Sequence, residues 1–161
     1  MSERRKGPLA DLKVLDLTHV MAGPTCTLLL ADLGADIIKV ERPPAGDDSR
    51  HMAPPYLGDQ SAAYLMMNRN KRGIVLDLKT DGGRAALKRL ADRADILVEN
   101  FRQGALDKLG LGFETVRADN PGLIWCAISG YGRSGPYAGR GGFDLMAQAM
   151  SGIMSFTGEG P

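Results

Sequence analysis

At 161 residues, the chain is long enough for one ordinary domain with a core of its own. A composition of 43% hydrophobic and 24% charged residues excludes wholesale disorder. A net charge of +1, with its densest basic runs (Arg4-Arg5-Lys6 and Lys71-Arg72) short and far apart, argues against a nucleic-acid surface.

The start, Met1-Ser2-Glu3-Arg4-Arg5-Lys6-Gly7, is polar, and residues 1–7 read as a disordered tail with no apolar leader segment after it. Lys13-Val14-Leu15-Asp16-Leu17-Thr18 predicts a first strand, His19-Val20-Met21-Ala22-Gly23-Pro24 a loop, and residues 25–34 an apolar helix. Ala35-Asp36-Ile37-Ile38-Lys39-Val40-Glu41 predicts a second strand and completes a βαβ unit. Residues 42–58, rich in Pro, Gly and Asp, predict a long loop, and loops of that length in compact domains are usually functional.

Residues 61–67 predict a helix whose tyrosine and methionines pack, and Gly73-Ile74-Val75-Leu76-Asp77-Leu78 a third strand. Thr80 and Asp81 are placed to cap a helix from about residue 83 to 94, with Ala86, Leu87, Leu90 and Ala91 forming its apolar stripe. Asp95-Ile96-Leu97-Val98-Glu99-Asn100 is a fourth strand. A short helix through Leu106 and Leu109 stops at Gly110, another follows over 113–119, and Leu123-Ile124-Trp125-Cys126-Ala127-Ile128 is a fifth strand. Near-continuous apolar strands alternating with helices predict an α/β fold: a Rossmann-like parallel sheet with helices on both faces.

In such sheets, ligands bind beyond the carboxyl ends of the strands. The residues expected there are Val20 to Pro24, Arg42, Asn100 to Arg102, and Ser129 to Gly135. They offer a guanidinium, an amide, two aromatic rings and glycine-rich backbone, a set that suits a nucleotide bearing phosphates. The glycine fingerprints of dinucleotide and P-loop sites are both missing. Glu41, which imitates the ribose-binding acid of NAD enzymes, therefore reads as a solvated or ion-paired carboxylate. Cys26 and Cys126 lie a hundred positions apart without metal-ligand spacing and read as reduced, buried thiols; no metal site is expected. Asp144 follows Gly141-Gly142 and opens a run of good helix formers. At a helix start it would accept orphan backbone N–H groups and be ionised, as an ordinary cap or as a reactive carboxylate.

The motifs, taken together, resemble the family III CoA-transferases (the CaiB/BaiF family, with formyl-CoA:oxalate and carnitine CoA-transferases and α-methylacyl-CoA racemase among its relatives). The residues that carry the resemblance are Lys13-Val14-Leu15-Asp16-Leu17-Thr18, Ala22-Gly23-Pro24, the run from Leu33 to Pro43, Asn68-Arg69-Asn70-Lys71-Arg72 and Val98-Glu99-Asn100-Phe101. Leu109-Gly110, Ser129-Gly130-Tyr131-Gly132, Gly135-Pro136 and Gly142-Phe143-Asp144 continue it in order, so it covers practically the whole chain.

The resemblance implies coenzyme A as acyl-CoA substrate, a carboxylic acid as CoA acceptor and an interlocked homodimer at full length; the reduced thiols and the short apolar runs predict a cytoplasmic protein without membrane insertion, and the charge balance no nucleic-acid partner. It implies that Asp144 is the catalytic carboxylate, attacking the thioester to give a mixed anhydride. It implies CoA contacts from Val20, Met21, Arg42, Leu76, Lys79, Asn100, Phe101, Lys108 and Tyr131. Lys108 stands where many members have Arg. Ser129 and Met21 replace a Lys and a Gln of the oxalate enzyme, which argues against formyl or oxalate specificity. An acyl-CoA racemase of the same superfamily is the alternative; it needs an acid–base pair, and Phe143 stands where racemases tend to carry His. An inactive CoA-binding fragment is a further alternative. The turn-like run Phe156-Thr157-Gly158-Glu159-Gly160-Pro161 directly after the Asp144 helix predicts that residues 8–161 are the N-terminal part of a large domain that is cut short, with the small domain absent.

Overall fold

A computed structural model describes residues 7–52 and 54–159. Of the expected N-terminal tail, residues 1–6 lie outside the described residues. Gly7 belongs to the fold: a side chain there would drive a Cβ to 2.2 Å from the carbonyl oxygen of Leu33. Two compact units divide the chain, Met1–Ile128 and Ser129–Pro161.

The first unit is built on a five-stranded parallel sheet. Its strands are β1 (Lys13–Asp16), β2 (Asp36–Glu41), β5 (Lys71–Val75), β6 (Ile96–Glu99) and β7 (Ile124–Ala127). A two-stranded antiparallel hairpin, β3 (Tyr56–Leu57) with β4 (Gln60–Ser61), lies apart from it. The helices of this unit are α1 (Ala22–Asp32), α2 (Ala62–Asn68), α3 (Asp81–Ala91) and α4 (Phe113–Asp119). Sheet order is β5-β2-β1-β6-β7. The chain steps outward from β1 through β2 to β5, then returns to the other side of β1 for β6 and β7. That reversal puts a topological switch point between β1 and β6, at whose carboxyl ends such folds bind ligands.

Strand pleating sorts the core onto two faces. Leu15, Leu17, Val40 and Leu97 face one way and pack with Leu87 and Ala91 of α3 and Val116 of α4. Val14, Ile37 and Val98 face the other way and pack with Ala31 of α1. Helices therefore cover both faces, as the alternation of elements predicted. Each fully buried Leu or Ile contributes about 1.5–3 kcal/mol. Thr80 caps α3 by accepting the Gly83 N–H at 3.1 Å, and Gly110 ends the turn at Asp107–Leu109 in the left-handed conformation, φ 66°.

Several boundaries differ from the sequence expectation. Helix α1 begins at Ala22 rather than 25, because Pro24 sits in the first turn, where its missing N–H costs no helical bond. Strand β5 runs over Lys71–Val75 rather than 73–78. Its limits are set by pairing with β2 (Ile37 opposite Lys71, Glu41 opposite Val75), while Asp77 already accepts the Thr80 N–H in the turn that caps α3. The long loop 42–58 contains a 3-10 turn at Asp48–His51 and then β3. Cys26 on α1 and Cys126 on β7 are half-buried rather than buried, and they hydrogen-bond to each other; burial raises the Cys26 thiol pKa. The hundred residues between them hid that contact.

The second unit holds α5 (Asp144–Ser151) and a 3-10 turn at Ile153–Ser155. Gly130 and Gly142 pack backbone to backbone, and a Cβ on either would lie 2.4 Å from the Cα of the other. The rings of Tyr131 and Tyr137 meet at a tilt of 59°, with centroids 5.7 Å apart. No residue of α5 is buried: its Leu145, Met146 and Met150, with Phe143 before it and Ile153, Met154 and Phe156 (90% exposed) after it, all show large apolar surface. Among the described residues, no helix is long and apolar enough to cross a membrane.

Candidate functional site

The loop between β1 and α1 leaves the sheet at the switch point, and buried or half-buried side chains hold it at every backbone polar group over two residues and beyond. The Thr18 N–H donates to Asp16 Oδ1 at 2.9 Å, and the Thr18 carbonyl accepts Lys39 Nζ at 2.8 Å. The His19 N–H donates to Asn100 Oδ1 at 2.9 Å, and the His19 carbonyl accepts Asn100 Nδ2 at 2.8 Å. The Val20 N–H donates to Asp47 Oδ1 at 3.1 Å. Val20 itself lies at φ 69°, a left-handed conformation that a β-branched residue takes only when its surroundings impose it. Gly23, on the first turn of α1, packs so closely on Thr18 that a Cβ would lie 2.2 Å from the threonine Cβ.

Two charge clusters lie beneath this loop. In the first, Asp16 Oδ1 accepts the Thr18 hydroxyl at 2.5 Å, and Asp16 Oδ2 accepts the Thr27 hydroxyl at 2.6 Å and Lys71 Nζ at 3.1 Å. Lys71 also donates to the Pro24 carbonyl and to Asn68 Oδ1. Burial lowers the Lys71 pKa, and Asp16 opposes that shift. In the second, Lys39 (1% exposed) pairs with Asp47 Oδ2 at 2.7 Å, and Asp47 Oδ1 also accepts the Ser49 N–H and hydroxyl. Burial alone would raise the Asp47 pKa, but Lys39 and Ser49 outweigh it and hold the carboxyl at about 2.

Glu41, at the end of β2, is ion-paired, as one of its sequence readings had it. It accepts both Arg50 nitrogens (2.7 and 2.8 Å), the Tyr64 hydroxyl at 2.8 Å and the Asp47 N–H at 2.9 Å. Burial works against ionisation here too, yet these donors bring the Glu41 pKa down to about 2. His19 Nδ1 is buried without a hydrogen bond, 4.0 Å from Asp47 Oδ2, and its ring meets Phe101 edge-on at 5.8 Å. Burial lowers its pKa, so the imidazole is neutral at neutral pH.

The expected CoA contacts of the first unit fall past the carboxyl ends of the strands: Val20 and Met21 after β1, Arg42 after β2, Leu76 and Lys79 after β5, Asn100, Phe101 and Lys108 after β6. The Asn100 amide and the Phe101 ring meet His19, Val20 meets Asp47, and Arg42 pairs with the neighbouring Asp48. Met21 is 55% exposed, as a ligand contact requires. The Leu76 N–H donates to the Glu41 carbonyl next to Arg42, while its side chain packs on the core. Lys108 lies in the 3-10 turn Asp107–Leu109, with its N–H on the Gly104 carbonyl.

Tyr131 and Asp144 belong to the second unit. Asp144 is the first residue of α5, not its cap; Phe143 occupies the cap without a side-chain bond. The Asp144 carboxylate is exposed and accepts the Gln148 amide at 2.5 Å, so the orphan N–H donors expected for it are not engaged.

The sequence pattern of CoA-transferase family III matches residues 9–161, and the chain belongs to that family. It is 48% identical over 161 residues to a succinate–glutarate CoA-transferase of Agrobacterium fabrum, covering 96% of this chain and 40% of that one. It is 49% identical over 158 residues to an acetyl-CoA:oxalate CoA-transferase of Acetobacter aceti, covering 97% and 40%. A crystal structure of a CaiB/BaiF family protein from Brucella suis superposes with a TM-score of 0.91 at 47% identity, over 96% of this chain and 42% of that one. The chain thus spans about 40% of the length of the curated relatives it matches.

Residues missed in the sequence are those beneath the loop: Asp16, His19, Lys39, Asp47, Ser49 and Lys71. A signal existed for two of them. Asp16 interrupts Val14-Leu15 and Leu17, and Lys39 interrupts Ile37-Ile38 and Val40, in strands apolar enough to be buried on both faces. A charge in such a strand has to find a partner.

Proposed function

We propose that the chain is the CoA-binding part of a transferase that moves CoA from an acyl-CoA donor to a dicarboxylic acid, working at full length as a cytoplasmic homodimer. The observation that carries this reading is the side-chain-held loop at the β1–β6 switch point, with Arg42 beside it, in a chain of this family. The relatives' names supply the acceptor class, since glutarate and oxalate are both dicarboxylic acids. In the proposed reaction a carboxylate oxygen attacks the thioester carbonyl, the C–S bond breaks, and CoA leaves as thiolate, with an anhydride remaining. Such an anhydride needs protection from water. The exposed Asp144 of this chain does not have that protection, so the proposal ties the step to a carboxylate of the full-length protein, with Asp144 as the candidate implied by the resemblance.

Two experiments on the full-length protein test this. Arg42→Ala should weaken CoA binding by about 1.5–3 kcal/mol, roughly 10- to 100-fold, the size of a charge-assisted hydrogen bond; unchanged affinity by calorimetry would remove Arg42 from the site. Hydroxylamine added during turnover with succinyl-CoA and glutarate, succinate or oxalate should convert the acyl-carrying carboxylate to a hydroxamate that mass spectrometry locates. A hydroxamate at Asp144 establishes it as the nucleophile, and one outside residues 1–161 moves the role there. Acyl exchange without any hydroxamate would refute the anhydride route.

A further inference from the structure

The left-handed Val20 and the carboxylate that holds it carry an inference about how the loop is kept in shape. Val20 is the one β-branched residue among the described non-glycine residues at positive φ; the other is Asn70, a residue type that tolerates this region. A valine at φ 69° returns to the extended region unless something outside its own chain segment prevents it.

What prevents it is Asp47, 27 residues away and 0% exposed. Its two carboxylate oxygens serve two different ends. Oδ1 takes the Val20 N–H, and Oδ2 takes Lys39, whose ammonium in turn holds the Thr18 carbonyl two residues upstream. Ser49 donates twice to Oδ1 and fixes the carboxylate's rotation. Asp47 and its partner Lys39 therefore grip the loop on both sides of His19, while Asn100 grips His19 itself.

We propose that Asp47 is the positioning residue of the β1–α1 loop: by holding Val20 in the left-handed conformation, it aims the backbone of residues 20–21 at the incoming CoA ligand. The proposal rests on the CoA-binding reading above. Asp47 is not itself a ligand contact, since it is fully buried beneath the loop.

A carboxylate is needed because the two demands compete. An asparagine has the same shape but a single acceptor oxygen. If that oxygen stays on Val20, the amide NH₂ points at the Lys39 ammonium; if it turns to Lys39, Val20 loses its acceptor. Glycine at position 20 removes the need for a grip, because φ near +70° costs glycine nothing.

The test uses the full-length protein, with free CoA as the probe, calorimetry for the dissociation constant and thermal melting for the fold. Asp47→Asn should weaken CoA binding about tenfold or more. Adding Val20→Gly should restore most of that affinity without restoring the melting temperature, a split that a merely structural role for Asp47 would not produce. Wild-type affinity in Asp47→Asn would overturn the proposal, as would a double variant that folds yet stays as weak as Asp47→Asn. If Asp47→Asn alone does not fold, Val20→Gly and Val20→Gly/Asp47→Asn are compared instead: the two should bind CoA within about twofold of each other, and a tenfold gap would overturn the proposal. Failure of the wild-type protein to bind CoA would refute the CoA-binding reading, an outcome distinct from all of these.

Discussion

Asp16→Ala should destabilise the full-length protein by about 3–5 kcal/mol, the size expected when one partner of a buried ion pair is deleted. The carboxylate is fully buried at the end of β1 and satisfies the Thr18 N–H and hydroxyl, the Thr27 hydroxyl and Lys71. Alanine leaves a buried ammonium facing an empty space, and two hydroxyls lose their acceptor. Lys71 keeps the Pro24 carbonyl and Asn68, which limits the loss, but neither supplies a countercharge. Urea denaturation of both proteins at pH 7 measures the difference. A loss under about 1 kcal/mol would mean that the cluster contributes no more than an exposed pair.

The second large effect is on acid stability. Glu41 and Asp47 both titrate at about 2 in the fold, against ordinary values of 4.5 and 3.8. Their folded pKa values are depressed, so the stabilisation is complete above the ordinary values and is lost as pH falls through them towards 2. Each carboxylate contributes on the order of 2–4 kcal/mol, Glu41 more than Asp47, because one pKa unit corresponds to about 1.4 kcal/mol. The urea midpoint should therefore decline modestly below about pH 6.5, where the unfolded chain protonates the histidine that the fold keeps neutral, and fall steeply between about 4.5 and 2. Glu41→Gln should be less stable at pH 7 and show a shallower fall. A midpoint that is level from pH 5 to pH 2.5 in the wild-type protein would contradict this account.

The parallel sheet was legible because its strands are nearly continuous apolar runs and its helices carry caps that can be read locally, Thr80 above all. Boundaries were less legible where a distant partner decides them. Nothing in Asn68-Arg69-Asn70-Lys71-Arg72 announces a strand; β2 makes one of it by pairing Ile37 with Lys71. The loop 42–58 was recognised as long, but not as the source of Asp47, because the contact from Asp47 to Val20 spans 27 residues with no periodicity between them. Motif matching offered Asn100 as a ligand residue, and in the fold its amide holds both backbone groups of His19. A motif records that a residue type recurs, and position alone does not distinguish a group that touches a ligand from one that shapes the backbone beside it. For Asp144 the helix start was legible, and the partner of its carboxylate was not: Gln148, one turn along, takes the place of the backbone donors.

The apolar surface of α5 has a chemical side. Met146 and Met150 lie on it, Met154 follows in the 3-10 turn after it, and all three are open to solvent. An exposed thioether is oxidised by peroxide to a sulfoxide, which is polar and chiral and no longer packs as a flexible apolar chain. Oxidation of these three sulfurs would turn an apolar face into a wet one without breaking a backbone bond. An apolar surface that includes these sulfurs is thus also one that oxidative damage would spoil.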